Sequence, residues 1–179
     1  MKNKMFISLL PFETGRLIVR KTSLEDVNMI LKIDHQEETQ KYLGGIKNKT
    51  KEERIVFLTK KIEKFDKGLA GQLTVCLKDG TPIGLVGLSI KEESNTGEIG
   101  YIFDYDYCNN GYCTEVCKKL LEIVFNKLNL DSISADSVNG NASSKRVLEK
   151  LGFKYKESFI KDSTDFLLYT INNVEFDLN

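Results

Sequence analysis

Three cysteines, two asparagines and a glycine occur together in "YCNNGYCTEVC", residues 107–117, just before and inside an apolar helical pattern. A zinc site would need a fourth ligand beside Cys108, Cys113 and Cys117, in the compact knuckle typical of structural zinc. A thioredoxin-type redox site would need a Cys-x-x-Cys pair, which the sequence lacks. Because free cysteine is commonly buried, the stretch favours cysteines that pack as small apolar residues.

The same stretch has the pattern of an anion-binding turn. A β-rich run ends near Asp104, a polar turn contains Gly111, and the helical pattern begins near Tyr112 or Cys113. The first amides of a helix have no partner within the helix and lie at the positive end of its dipole, so they can bind a phosphate. An ordinary strand-to-helix connection has the same pattern, and this motif alone leaves both interpretations open.

Helical and strand patterns alternate along the rest of the chain. Apolar residues at helical spacing follow the capping-type residues Ser23 and Thr50, and two β-rich runs flank the turn sequence "KDGTP". The predicted strands are 16–21, 72–77, 83–90, 98–104, 131–138, 153–160 and 165–171, and the predicted helices are 22–34, 50–65, 112–128 and 143–151. The predicted order is therefore β-α-α-β-β-β-α-β-α-β-β.

Length and charge restrict the class of protein. With 179 residues and no linker-like segment, the sequence predicts a single domain over residues 1–179. Its 26 Lys+Arg balance 26 Asp+Glu, so no overall basic field is present to attract nucleic acid or an anionic membrane. The N-terminal apolar run is short and is followed by Pro11 and Glu13, which argues against a signal peptide. We therefore expect a cytoplasmic protein without a membrane span, as a monomer or homodimer.

Two ordered segments resemble a known family. The segment "IGYIFDYDYCNNGYCTEVCKKLLEIVF", residues 99–125, followed by "NASSKRVLEKLGF", residues 141–153, resembles the two signatures of GNAT-superfamily N-acetyltransferases of the RimJ/RimL-like branch. The segments "RLIVRKTSLEDVNMIL" and "KDGTPIGLVGLSI" are similar to that branch's opening strand and helix and to its central hairpin. The resemblance extends over residues 14–171.

The resemblance implies both a fold and a reaction. The fold is α/β (mixed α+β), with a central twisted mixed β-sheet flanked by helices and with strands splayed at the acetyl-CoA site. The reaction is acetyl-CoA-dependent transfer of an acetyl group to a primary amine, on a peptide N-terminus or a small molecule. The amine would attack directly in a ternary complex, with acetyl-CoA as co-substrate and without a metal.

The resemblance also implies which residues bind acetyl-CoA. Backbone groups on the strand before the loop align the thioester, and backbone amides of the loop bind the pyrophosphate. In this sequence the strand residues are Ile102, Phe103 and Asp104, and the loop residues are Cys108, Asn109, Asn110, Gly111, Tyr112 and Cys113, with Thr114 next in the helix. The loop departs from the family pattern at Cys108, Asn110 and Cys113, which favours weaker binding of CoA. Lys118, Lys119, Lys145 and Arg146 are candidates for the missing positive charge, although each also suits a solvated helix face.

Catalytic residues follow from the same resemblance. Glu98 is the candidate base for the amine, since some GNAT enzymes place a glutamate on this strand; a surface carboxylate is the alternative. Leu148 occupies the position of the family's usual tyrosine acid, so the thiolate would depend on Ser144. Asn141 would hydrogen-bond the pantetheine amide, and Asn141 and Ser144 also suit the start of a helix.

Two other classes of protein remain open at this point. A non-catalytic acyl-CoA-binding or regulatory module is compatible with the loop departures and with the missing tyrosine. A different nucleotide-binding α/β protein would share only the anion-binding turn, but neither G-x-G-x-x-G nor G-x-x-x-x-G-K-S/T occurs. The sequence does not identify the amine acceptor.

Overall fold

The computed structural model describes residues 1–69 and 71–176. The helices are α1 (Lys2–Ser8), α2 (Val27–His35), α3 (Glu37–Gln40), α4 (Lys51–Asp66), α5 (Tyr112–Asn126) and α6 (Ala142–Lys150). The strands are β1 (Phe12–Glu13), β2 (Leu17–Lys21), β3 (Gln72–Leu77), β4 (Pro82–Lys91), β5 (Thr96–Phe103), β6 (Ser132–Val138), β7 (Lys154–Lys161) and β8 (Thr164–Asn172). In these two ranges no helix is long and apolar enough to cross a bilayer.

All eight strands form one sheet in the order β1-β2-β3-β4-β5-β6-β8-β7. Neighbouring strands are antiparallel except β5 and β6, which are parallel. The predicted mixed fold and the order of its main elements are confirmed. Helix α1, strand β1 and the short α3 were not predicted from the sequence.

Helices cover both faces of this sheet. On β5, Ile99 and Phe103 belong to the larger core, which includes seven buried residues of α5, whereas Ile102 on the opposite face packs against a smaller core formed by α2, α4 and Leu85. This alternation follows from the two-residue period of a strand. Strand β5 is therefore the central element, and its two ends position the candidate site.

Local side-chain contacts fix where α2 and α4 begin. Thr50 and Glu53 form the predicted capping box, in which Thr50 Oγ1 accepts from the Glu53 amide at 3.2 Å. Asp26 Oδ2 accepts from the Ser23 amide at 2.8 Å, and the buried Asp26 carboxylate also pairs with Arg20 at 2.7 Å. The Arg20 pair attaches the start of α2 to β2.

Strands β5 and β6 pair only near their beginnings. The register runs from Thr96 with Ser132 to Glu98 with Ser134 and then stops, although β5 continues to Phe103 and β6 to Val138. Strand β5 stays paired with β4, and β6 stays paired with β8, over those same lengths. A gap therefore opens in the middle of the sheet after Glu98, as the splayed strands of the expected fold require.

Candidate active site

The loop that connects β5 to α5 has a left-handed backbone at two positions. Asn109 has φ of 62° and Gly111 has φ of 79°, a region that asparagine and glycine tolerate better than other residues. The Asn110 side-chain amide donates to the carbonyl oxygens of Tyr107 at 3.3 Å and Cys108 at 3.0 Å, so it folds the loop onto itself. Within the described ranges no side chain caps α5, and the amides of its first turn can therefore donate hydrogen bonds to an anionic ligand.

Arg16 and Glu115 hold this loop from the outside. Arg16 Nη1 donates to the Asn110 carbonyl oxygen at 3.0 Å, and Arg16 Nε donates to Glu115 Oε2 at 2.7 Å. Thr14 Oγ1 and the Arg16 amide donate to Glu115 Oε1 at 2.5 and 2.9 Å. The guanidinium carbon also lies 4.5 Å from the centroid of the Tyr112 ring. Burial acts to raise the pKa of Glu115, but these hydrogen bonds outweigh it and hold that pKa below its ordinary value.

Arg16 lies beside the loop with its charge paired to Glu115, and the sequence did not predict it as part of the site. An arginine at the start of a predicted strand carries no signal of its own, because the contact with the loop is made from almost 100 residues away. Of the four basic residues considered instead, Lys119 pairs with Glu122 at 3.0 Å and Lys145 pairs with Glu149 at 3.8 Å, each within its own helix. Those two ion pairs agree with solvated helix faces.

The cysteines of the loop and of α5 pack against the larger core. Burial raises the pKa of the Cys108 thiol, whose sulfur lies 3.7 Å from the Asp104 carbonyl oxygen. Burial, and then the neighbouring thiol of Cys117, raise the pKa of Cys113 well above its ordinary value. Such thiols are protonated near neutral pH and are weak nucleophiles. In the part of the chain that the structure describes, no group of three His, Cys, Asp or Glu side chains is arranged to hold a metal ion.

The gap exposes backbone groups of β5 at alternate residues. The Asp104 amide donates to the Ile83 carbonyl oxygen at 3.0 Å, so it faces β4. Because ladder hydrogen bonds alternate along an antiparallel strand, the Ile102 amide also faces β4, whereas the amides of Tyr101 and Phe103 face the gap. Of the three strand residues expected to align a thioester, Phe103 is the one whose amide faces the gap.

The Asp104 side chain connects β5 to α2. Its buried carboxylate accepts from Lys32 at 2.6 Å and from Gln36 Nε2 at 2.7 Å. Burial acts to raise the pKa of Asp104, but Lys32 and Gln36 lower it further than burial raises it. Both the amide and the carboxylate of Asp104 are thus used within the protein, where they hold α2 against the end of β5.

Asn141, Ser144 and Tyr101 meet on the other side of the gap. Asn141 Oδ1 accepts from the Ser144 amide at 3.1 Å, so Asn141 caps α6. The Tyr101 hydroxyl lies 3.0 Å from Ser144 Oγ, and burial, followed by the Cys113 thiol, raises the pKa of Tyr101. Tyr101 therefore lies between the first turns of α5 and α6. Leu148, at the position of the family's usual tyrosine, is fully buried.

Glu98 lies at the last paired position before the gap opens. Its neighbours across the sheet are Ser89 on β4 and Ser134 on β6, and its side chain is exposed. Among residues 1–69 and 71–176 no side chain forms an ion pair with its carboxylate. Since Glu98 and Tyr101 are three residues apart on one strand, Glu98 and the Tyr101–Ser144 contact lie on opposite faces of the sheet.

A mixed sheet that parts beside the first turn of a helix is the arrangement of the GNAT fold. A family model described as Acetyltransferase (GNAT) domain matches residues 16–154, and the chain belongs to this family. The uncharacterized N-acetyltransferase YnaD of Bacillus subtilis (strain 168) is 31% identical over 150 residues, which cover 83% of this chain and 84% of that protein.

Solved structures share the fold over most of their length. A GNAT-family acetyltransferase from Bacillus anthracis superposes with a TM-score of 0.80 at 25% identity, covering 93% of this chain and 100% of that chain. A spermidine N-acetyltransferase from Vibrio cholerae, in complex with CoA and spermine, has a TM-score of 0.75 at 18% identity, covering 89% of this chain and 96% of that chain.

Proposed function

We propose that the protein transfers an acetyl group from acetyl-CoA to a primary amine, on a peptide N-terminus or a small molecule, by direct attack in a ternary complex. The observation that carries the proposal is the gap between β5 and β6, which opens between an uncapped helix start and the Ser144 hydroxyl. The protein belongs to the GNAT acetyltransferases, and a similar spermidine N-acetyltransferase is known in complex with CoA and spermine.

The loop and α6 would bind acetyl-CoA mainly through backbone groups. Amides of residues 108–113, with Thr114 behind them, suit the pyrophosphate, because the first turn of α5 has no capping side chain. The Asn141 amide group suits the pantetheine arm, since only its oxygen is used to cap α6. The Phe103 amide faces the gap and suits the thioester carbonyl, where it would stabilise the developing oxyanion.

Glu98 would assist the attacking amine, and Ser144 would stabilise the leaving thiolate. The amine's lone pair forms the new C–N bond, the C–S bond breaks, and its electron pair leaves on sulfur. Glu98 accepts the excess proton of the amine through intervening water, because five residues of extended strand, about 16 Å, separate it from the Phe103 amide. A lysine-type amine, with a pKa of about 10.4, needs this deprotonation more than an α-amino group with a pKa of about 8. Ser144 donates a hydrogen bond to the thiolate.

The proposal extends to the context of the enzyme. We propose that the protein is a single N-acetyltransferase domain over residues 1–179, that it belongs to the RimJ/RimL-like branch, and that it acts in the cytoplasm as a monomer or homodimer. Its partners are acetyl-CoA and the amine, without nucleic acid, membrane or metal.

A panel of amine acceptors tests this function. Purified protein is incubated with acetyl-CoA and with peptides that have free N-termini, polyamines, aminoglycosides or simple amines, and the released thiol is measured. We expect release that depends on one class of acceptor. If CoA binds but no acceptor in the panel releases thiol above the hydrolysis background, the result supports the non-catalytic acyl-CoA-binding module instead.

A further inference from the structure

The Tyr101 side chain reaches from β5 to α6 across the region where the sheet is parted. Its hydroxyl lies 3.0 Å from Ser144 Oγ and 3.4 Å from the Ser144 carbonyl oxygen. We propose that Tyr101 is a positioning residue whose hydroxyl donates to Ser144 Oγ and leaves the Ser144 proton free for the sulfur of CoA. The proposal rests on the acetyl transfer proposed above, and it assigns a role to a tyrosine that could not be distinguished from packing residues in the sequence.

The hydrogen-bonding capacity of the Tyr101 and Ser144 hydroxyls indicates which of them donates to the other. A serine hydroxyl has one proton to donate and two lone pairs to accept with. If Ser144 donated to Tyr101, it would have no proton left for a thiolate. The phenol is the more acidic of the two hydroxyls and is the better donor in the pair, and Oγ is the nearer of its two possible acceptors. The Ser144 amide is already fixed by Asn141, so only the hydroxyl remains to be oriented.

The surroundings of Tyr101 suit a hydrogen-bond donor better than an acid. The titratable groups that face its hydroxyl are the thiols of Cys113 and Cys117 on α5, and Ser144 faces it from α6. Burial and these thiols raise the pKa of Tyr101, so the phenol keeps its proton throughout the neutral range. Tyr101 therefore orients Ser144 without losing a proton itself.

The consequence for the thiolate does not require a proton transfer. When the C–S bond breaks, the electron pair stays on sulfur, and the Ser144 hydroxyl stabilises that charge through a hydrogen bond whose geometry Tyr101 fixes in advance. When CoA without an acetyl group binds, its thiol meets the same hydrogen-bond donor, the Ser144 hydroxyl. The pKa of its bound thiol is then lower than that of the free thiol, so CoA affinity rises with pH between those two pKa values, while acetyl-CoA affinity does not.

The test combines binding and turnover in four variants: Tyr101→Phe, Ser144→Ala, the double variant, and Tyr169→Phe as a control. Tyr169 is a buried tyrosine of the same sheet, on β8, and is paired with Ala135. Dissociation constants for CoA and acetyl-CoA are measured by calorimetry from about pH 6.5 to 9, a range that spans ordinary thiol pKa values. The kcat and KM are measured with the best acceptor.

We expect Tyr101→Phe to abolish the rise of CoA affinity with pH and to leave acetyl-CoA affinity within about twofold of wild type. Its kcat should fall about 3- to 10-fold, which is what loss of one neutral hydrogen bond is worth. The double variant should be no worse than Ser144→Ala, because Tyr101 acts through Ser144. Tyr169→Phe should match wild type in both measurements.

Three results separate the possible failures. A Tyr101→Phe enzyme with wild-type kcat and a wild-type pH dependence of CoA binding overturns the proposal, as do Tyr101 and Ser144 effects that simply add. A wild-type protein without turnover on any amine overturns the proposed function. In that case the pH dependence of CoA binding still decides whether Tyr101 orients Ser144.

Discussion

At the scale of single residues, the site divides its chemistry between two faces of one strand. Glu98 is exposed on one face of β5, and Tyr101 reaches Ser144 on the other. An amine that approaches from the Glu98 side would meet a thioester in the gap and expel sulfur toward Ser144. The proposed base and the hydrogen-bond donor to the leaving sulfur would then act from opposite faces of the sheet, without any large motion of the chain.

Replacement of Glu98 tests the acceptor side of this arrangement. Glu98→Gln should lower kcat at neutral pH while leaving CoA affinity almost unchanged, because the variant cannot take the amine's proton. Activity should recover partly as pH rises and more of the amine becomes neutral. Glu93→Gln, in the exposed β4–β5 turn, is the matched control. Equal turnover of Glu98→Gln and wild type from about pH 6 to 9 would make Glu98 a surface carboxylate.

Replacement of Gly111 tests the proposed pyrophosphate site in the loop between β5 and α5. Gly111 has φ of 79° and Gly80 has φ of 91°, so valine is strained at both positions. Each variant should lose about 1–3 kcal/mol of stability. Only Gly111→Val should also lose CoA affinity, because its side chain would fill the proposed pyrophosphate site, whereas Gly80 lies in the remote β3–β4 turn. Equal CoA affinity in the two variants would place the phosphate elsewhere.

At the scale of elements, the loop between β5 and α5 is held in place by the segment before β2. Glu115 in the first turn of α5 accepts hydrogen bonds from Thr14 and Arg16, and Arg16 also donates to the Asn110 carbonyl oxygen. The loop itself has few other anchors, because three of its residues, 109–111, are exposed. The ion pair thus fixes the loop before CoA binds, which lowers the conformational cost of binding.

Glu115→Gln should therefore weaken CoA binding by about 5- to 10-fold, since it removes a charge-assisted contact with Arg16 worth roughly 1–1.5 kcal/mol. Glu122→Gln, which removes the surface pair with Lys119 on the same helix, should leave CoA affinity unchanged. Calorimetry with both variants provides the comparison. Equal affinities would mean that the loop keeps its shape without the Arg16 contact.

Local patterns made much of the fold predictable. Thr50 and Glu53 predicted the start of α4, and the strand, turn and helix around Gly111 were predicted at nearly their observed positions. These elements depend on residues close together in sequence, such as capping pairs and apolar periodicity. Strand β1 has only two residues, which is too short to produce a recognisable alternation.

Contacts between distant segments were not predictable in the same way. Arg16 and Glu115 are 99 positions apart, and Tyr101 and Ser144 are 43 positions apart. Each pair meets only because the sheet order brings β2 near α5 and places α6 beside the gap. The alternation of hydrogen bonds on β5, which turns Phe103 toward the gap and Asp104 toward β4, likewise depended on a register that the sequence alone did not fix.

At the scale of the whole molecule, the gap divides the sheet into two parts joined by few contacts. Strands β1–β5 lie on one side and β6–β8 on the other, and only three residue pairs connect β5 with β6. The larger core continues beneath both parts, from Val19 to Ile171. A ligand in the gap would add bridging contacts where the sheet itself has none, so its binding should be visible in the stability of the entire fold.

CoA or acetyl-CoA should accordingly raise the melting temperature. A ligand that binds only the folded state contributes about 2.7 kcal/mol at one hundred times its dissociation constant. For a chain of this size that corresponds to roughly 5–10 °C. Gly111→Val should show a much smaller shift than Gly80→Val under the same conditions, because the two variants share backbone strain but only the first blocks the loop. If millimolar CoA moves the melting temperature of neither wild type nor Gly80→Val, and calorimetry detects no heat of binding, the acetyl-CoA assignment is wrong and the gap serves another ligand.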